Sequence, residues 1–159
     1  MKTIFPLLLL ACFALSCAKN AKTKLTEEQK STIKAEIKAQ FDLSGQGIEE
    51  MDAEKAFSVF SKMEGVKYIR DGHLYPAIDS AKNQYAQWFS SPGAVRRKLT
   101  ADPVIFDILD ENTVLLTTIG SFTVVDDTTG QPPVVIAYTM LWRKEDEGWK
   151  LFHMHNSWE

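Results

Sequence analysis

Cysteine is nearly missing from this chain. Its two copies, Cys12 and Cys17, both sit near the N-terminus, which leaves everything after them without a thiol for a disulfide, a nucleophile or a thiolate metal site. A basic surplus is missing as well: 18 lysines and arginines face 21 aspartates and glutamates, for a net charge of -3. Binding nucleic acid through its phosphates needs the opposite balance, so no nucleic-acid partner is expected. The glycines form neither a Walker loop nor a Rossmann fingerprint, and no nucleophile elbow or HExxH helix occurs. Nucleotide hydrolysis, hydride transfer on that fold and the common hydrolases lose their sequence support, and no cofactor is expected. Apolar runs of the roughly 20 residues that cross a bilayer are also absent; the longest candidate, Ile4 to Leu15, falls short.

What is present begins with a leader. Lys2 and the amino terminus supply positive charge, the run from Ile4 to Leu15 follows, and Ala14-Leu15-Ser16 places small and apolar residues before Cys17, the order of a signal peptide. The pattern resembles a bacterial lipobox. That resemblance makes residues 1–16 a lipoprotein signal peptide and Cys17 the lipidated first residue of the mature chain. The protein would then be anchored in the bacterial cell envelope, on the periplasmic or outer-membrane face. Leu9-Leu10-Ala11-Cys12 fits the same four letters, but cleavage there would leave an unusually short apolar core. Residues 17–25 are small, polar and lysine-containing, as suits a tether, and the domain is expected over 26–159.

Thr26 and Gln29 form a capping-box pattern, Glu27 and Glu28 suit a helix N-terminus, and Ile33, Ile37 and Phe41 recur on one face. A first helix is predicted to about Leu43, broken by Gly45 and Gly47. A second helix, capped by Asp52, is predicted through Met63. VKYIR reads as a strand closed by the Asp71-Gly72 turn, and a third helix follows to Phe89. From Ala94 onward the pattern is of strands: one ending near Leu109, then Thr113–Val125, Val134–Arg143 and Trp149–Trp158, joined by DEN, DDTTGQPP and EDEG. Pro103 should lie at a bulge or an edge, since it has no amide to donate.

The ending, YTMLWRKEDEGWKLFHMHNSW, places a polar turn and Trp149 before a strand carrying His153, His155 and Ser157. It resembles the C-terminal hairpin of SnoaL-like proteins of the NTF2-like superfamily. The resemblance implies an α+β fold, an NTF2-like cone in which N-terminal helices pack on a curved, mostly antiparallel sheet, and a homodimer. The hairpin is also similar to the association domain of calcium/calmodulin-dependent kinase II. That family projects arginines into its cavity at the positions of Met140 and Asn156, so its cationic pocket is not implied here.

Alternate side chains of a strand share a face. Tyr138, Met140 and Trp142 therefore point one way, and Phe152, Met154 and Asn156 share a face of the paired strand. With Tyr68, Tyr85 and Trp88 these aromatics have the texture of a small-molecule pocket, although residues at such spacing also serve as plain packing. The arginine correspondence would put His153 and His155 on the opposite face, where NTF2-like proteins commonly dimerise. Residue chemistry argues the other way, because two imidazoles facing a cavity could act as a base and its partner. Asp107, within the apolar VIFDIL, is a third candidate base if buried, and a solvated side chain if not. A metal would need a third ligand from His73 or Asp71 beside the histidine pair; no metal is expected. Two functions stay open: a lipid-anchored domain binding a small apolar or amphipathic molecule or a protein partner, without catalysis, or a cofactor-independent enzyme. The enzyme would transfer protons on a carbonyl or ring compound, with Tyr68 or Tyr138 donating to an oxyanion.

Overall fold

A computed structural model describes residues 24–125 and 130–159. The expected signal peptide, Cys12, Cys17, most of the expected tether and residues 126–129 of the expected DDTTGQPP turn lie outside the described residues. Leu25, at the end of the expected tether, already packs against the core.

Helix α1 spans Glu27–Glu50 and starts with the full capping box: the Thr26 hydroxyl accepts from the Gln29 amide at 3.2 Å, and the Gln29 side chain accepts from the Thr26 amide at 2.8 Å. Such a cap contributes about 1 kcal/mol. Its face of Ile33, Ile37 and Phe41 is buried. The helix does not break at Gly45 and Gly47 but runs on to Met51, whose left-handed conformation ends it. Gly47 is there for closeness. A Cβ at this position would stand 2.2 Å from the Ala56 nitrogen, so the missing side chain lets α2, Ala53–Phe57, lie against α1. That second helix is also shorter than the pattern predicted. After Ser58 the backbone leaves the helix to join a strand edge: the Ser61 amide donates to the Leu151 carbonyl at 3.0 Å and the Leu151 amide to the Val59 carbonyl at 2.8 Å.

Strands β1, Lys67–Arg70, and β2, His73–Tyr75, form a hairpin closed by Asp71 and Gly72, both with positive φ, as a two-residue turn of this hand requires. The β2 arm was not evident in the sequence, being three residues long. Asp71 also ties the hairpin tip to the C-terminus, its carboxylate accepting from the Trp158 amide at 3.0 Å. Helix α3, Ile78–Phe89, follows. Then come the long strands β3 (Arg97–Asp110), β4 (Thr113–Val124), β5 (Val134–Glu145) and β6 (Gly148–Trp158). The sheet order is β2-β1-β6-β5-β4-β3, antiparallel except where β1 lies parallel to β6. A register shift between Ala101 and Val104 surrounds Pro103, the bulge its missing amide demanded.

The curved sheet buries one face under the helices. Val114, Leu116, Ile136, Tyr138, Met140, Trp142 and Leu151 line that face, and Ile33, Ile37, Phe41 and Phe57 meet them from the helices. Trp149 ties the start of β6 to α1, its indole donating to Glu36 at 3.0 Å.

Candidate functional site

The hairpin of β5 and β6 sets which side chains look into the cone, and one bulge decides its pattern. Leu141 pairs with His153 but Trp142 pairs with Leu151, so Phe152 is an extra residue on β6. The expectation that Phe152 shares a face with Met154 and Asn156 is therefore corrected. Phe152 packs under the Arg143 guanidinium, 4.7 Å from its ring centre, and Leu151 takes its place in the cone. A bulge adds a residue and reverses the alternation; strict period two cannot see it.

The inner cavity lies between α1, α2 and the sheet, lined by Phe41, Phe57, Tyr68, Tyr85, Leu99, Tyr138, Met140, Trp142, Met154 and Asn156 among others. Its free volume is about 40 Å3, room for a few waters. Most of the cone is filled by its own side chains. Among the described residues, no carboxylate or imidazole lines it.

Its polar content is a short chain of hydrogen bonds. Asn156, fully buried, donates through Nδ2 to the Tyr68 hydroxyl at 3.4 Å, and the Tyr68 and Tyr85 hydroxyls share a bond of 3.0 Å. Asn156 Oδ1 and Trp142 Nε1 are buried without a partner, a costly condition that invites a polar guest or water. Burial pushes the Tyr68 phenol well above the usual range, with the neighbouring Tyr85 adding to it, and burial does the same to Tyr138. Both are neutral hydrogen-bonding groups at physiological pH.

His153, His155 and Asp107 are on the other face. His153 sits beside Lys67 and Leu141, His155 beside Ile69 and Thr139, and Asp107 beside Leu115. His155 and Asp107 are exposed and His153 half-buried. None of the three reaches the cavity. His73 packs edge-on to Tyr75, and among the described residues no three His, Cys, Asp or Glu side chains gather as a metal site. Tyr68, Tyr138, Met140, Trp142, Met154 and Asn156 all line the cavity, whereas Trp88 lines a separate one outside it with Arg70, Gln84 and Tyr85.

Sequence reasoning passed over Arg70. It shares the inward side of β1 with Tyr68, and its guanidinium stands 5.3 Å from the Tyr85 ring centre, 5.6 Å from Trp158 and 5.8 Å from Tyr75. Burial alone would lower its pKa; its interactions with Tyr85 first, then Tyr68 and Tyr75, outweigh that and raise it. The signal that could have found it was the alternation of KYIR, which places Arg70 beside Tyr68.

The model of the SnoaL-like domain matches residues 37–158. The chain belongs to the SnoaL-like family. Solved structures agree on the NTF2-like fold while sharing little sequence with it. A protein of unknown function from Mycobacterium tuberculosis superposes with a TM-score of 0.71 at 14% identity, over 83% of this chain and 75% of that one. A candidate dehydratase of the NTF2-like family from Streptomyces avermitilis gives 0.66 at 16%, over 80% and 96%. An NTF2-like superfamily protein from Salmonella enterica gives 0.65 at 22%, over 80% and 92%. No curated protein matches the chain.

Proposed function

We propose that this SnoaL-like protein binds a small apolar or amphipathic molecule in its cone without transforming it, and that Cys17 carries a lipid holding it in the bacterial envelope. The observation that carries the binding reading is the lining. Aromatic and aliphatic walls surround a few hydrogen-bonding groups, Tyr68, Tyr85 and Asn156, with a free acceptor on Asn156 and a free donor on Trp142, the usual make-up of a small-molecule site. The small free volume limits the guest, although Met140 and Met154, being unbranched and adaptable, can yield to it.

The competing reading, proton transfer on a carbonyl or ring compound, draws on solved relatives described as candidate dehydratases. In this chain it would have to proceed on phenols held neutral, with His153, His155 and Asp107 behind the sheet. Saturation-transfer NMR of the full chain with p-cresol tests the binding reading. Transfer in the parent protein and its loss in Leu99→Trp, which fills the cavity wall, are expected. Protein-catalysed exchange of cyclohexanone α-protons in heavy water would instead favour the enzyme.

The outer face of the sheet supports pairing of two copies. Ile105, Leu109, Ile119 and Val135 are 49%, 56%, 57% and 44% exposed on strands whose opposite face is core, and large exposed apolar side chains grouped on one face mark an interaction surface. The anchor has a separate test. Cys17→Ser should abolish lipid labelling and membrane retention; if both persist, the anchor assignment is wrong.

A further inference from the structure

Strand pairing lines up the outward side chains of the sheet in rows that cross five strands. One row reads Lys67, His153, Leu141, Leu115 and Asp107 from β1 to β3, and its neighbour reads Ile69, His155, Thr139, Thr117 and Ile105. Within the strand order β1-β6-β5-β4-β3, β5 is the middle of both rows. Lys67 and Asp107 therefore stand two strands to either side of Leu141, each about 10 Å from it at the usual strand spacing. Both are exposed, and among the described residues neither has an ion-pair partner in its own chain. The first row is thus a strip with a cation at one end, an anion at the other and leucines between.

Two copies stacked through the same face are related by a two-fold axis lying between the sheets, so that each contact occurs twice. The charges choose its direction. An axis along the row would set every side chain on its own counterpart, lysine on lysine and aspartate on aspartate. An axis along β5 exchanges the two ends of each row. We infer that the outer face receives a second copy of the chain about an axis along β5, with Lys67 of each copy paired to Asp107 of the other. Leu141 and Thr139 then meet their own counterparts on the axis, His153 lies over Leu115, and Ile69 lies over Ile105, apolar on apolar. Packed sheets stand about 10 Å apart, a gap that an extended lysine and an aspartate span together. The inference rests on the pairing of two copies proposed above and adds its register and its ion pairs.

Charge reversal in the full chain, read by sedimentation velocity, tests it. Lys67→Asp and Asp107→Lys each turn both ion pairs into like-charge contacts, which are strongly unfavourable across an interface, and each should weaken pairing at least about tenfold. The two single variants mixed together should pair with each other as tightly as the parent does with itself, because aspartates of one copy face lysines of the other at both contacts. The double variant should pair with itself for the same reason. Rescue in the mixture requires both variants to be folded, so it separates a lost contact from a lost fold. Parent pairing that neither reversal weakens, or a loss that mixing does not rescue, overturns this register and leaves the pairing of two copies standing. A parent that stays monomeric at millimolar concentration overturns both.

Discussion

The two faces of the sheet are built by the same strands and differ in almost every physical respect. On the inner face Val114, Leu116, Ile136 and Trp142 are fully or almost fully buried, and the polar groups that enter, Tyr68, Tyr85 and Asn156, bond to one another. On the outer face Thr117, Thr139, His155 and Asp107 alternate with exposed Ile105, Leu109, Ile119 and Val135. The most reactive side chains, the histidines, stand on the outer face, and of the groups that do face the cavity the Tyr68 and Tyr138 phenols are held neutral by burial. Chemical reactivity in isolation is thus a poor guide to site membership; what counts is which side of the pleat a residue occupies.

The contrast can be broken most forcefully from the inside. Leu116→Ala should cost about 2–5 kcal/mol in chemical denaturation, since it leaves a hole where no solvent reaches, whereas Thr139→Ala on the same sheet should stay within about 0.5 kcal/mol. Similar losses from both would mean that the faces do not differ as described. Asn156→Ala should cost about 1–3 kcal/mol, because it strips Tyr68 of a buried partner, while His155→Ala should be near neutral in the same measurement.

A smaller effect is confined to alkaline pH. Burial raises the Tyr68 and Tyr138 pKa values in the fold above the ordinary value of 10.0. Above about pH 10 the unfolded chain releases those protons and the folded chain keeps them, so stability falls as pH rises; below that value the contribution is fully present. Urea midpoints between pH 8 and 11 should therefore drop less steeply for Tyr138→Phe than for the parent, by up to about 1.4 kcal/mol per pH unit. Parallel curves would place Tyr138 in contact with water. The smallest effect on folding, within about 0.5 kcal/mol, is expected from Ile119→Asp, which should weaken the proposed pairing of two copies as read by sedimentation. An unchanged sedimentation profile would remove the outer face as the pairing surface.

Much of this architecture was written in local pattern. The capping box at Thr26, the Asp71-Gly72 turn, the bulge at Pro103 and the long strands each follow from residues acting on their immediate backbone. Where the reading failed, a distant partner had intervened. Gly47 looked like a helix breaker because helix propensity is a local average, but α2 needed its missing Cβ. The second helix stopped early because residues 59–61 bond to the backbone of β6, some ninety positions away in sequence. Phe152 left its expected face because of a bulge, and Arg70 went unnoticed because its significance lies in the rings of Tyr75, Tyr85 and Trp158, three separate elements. Six of the expected lining residues nevertheless lie on the cavity, five because alternation along β5 and the end of β6 is undisturbed and Tyr68 because β1 pairs in register with β6.

The sequence by itself therefore determined the order of elements, the α+β class and the residues of the final hairpin, because caps, turns and periodicity act within a few residues of the backbone they shape. Only the tertiary structure decided which side of the sheet faces the helices, and with it that His153, His155 and Asp107 stand outside while Arg70 lies among the rings of Tyr75, Tyr85 and Trp158. Two faces of one strand carry their alternation equally well, and the choice between them is made by the helix face that packs against it.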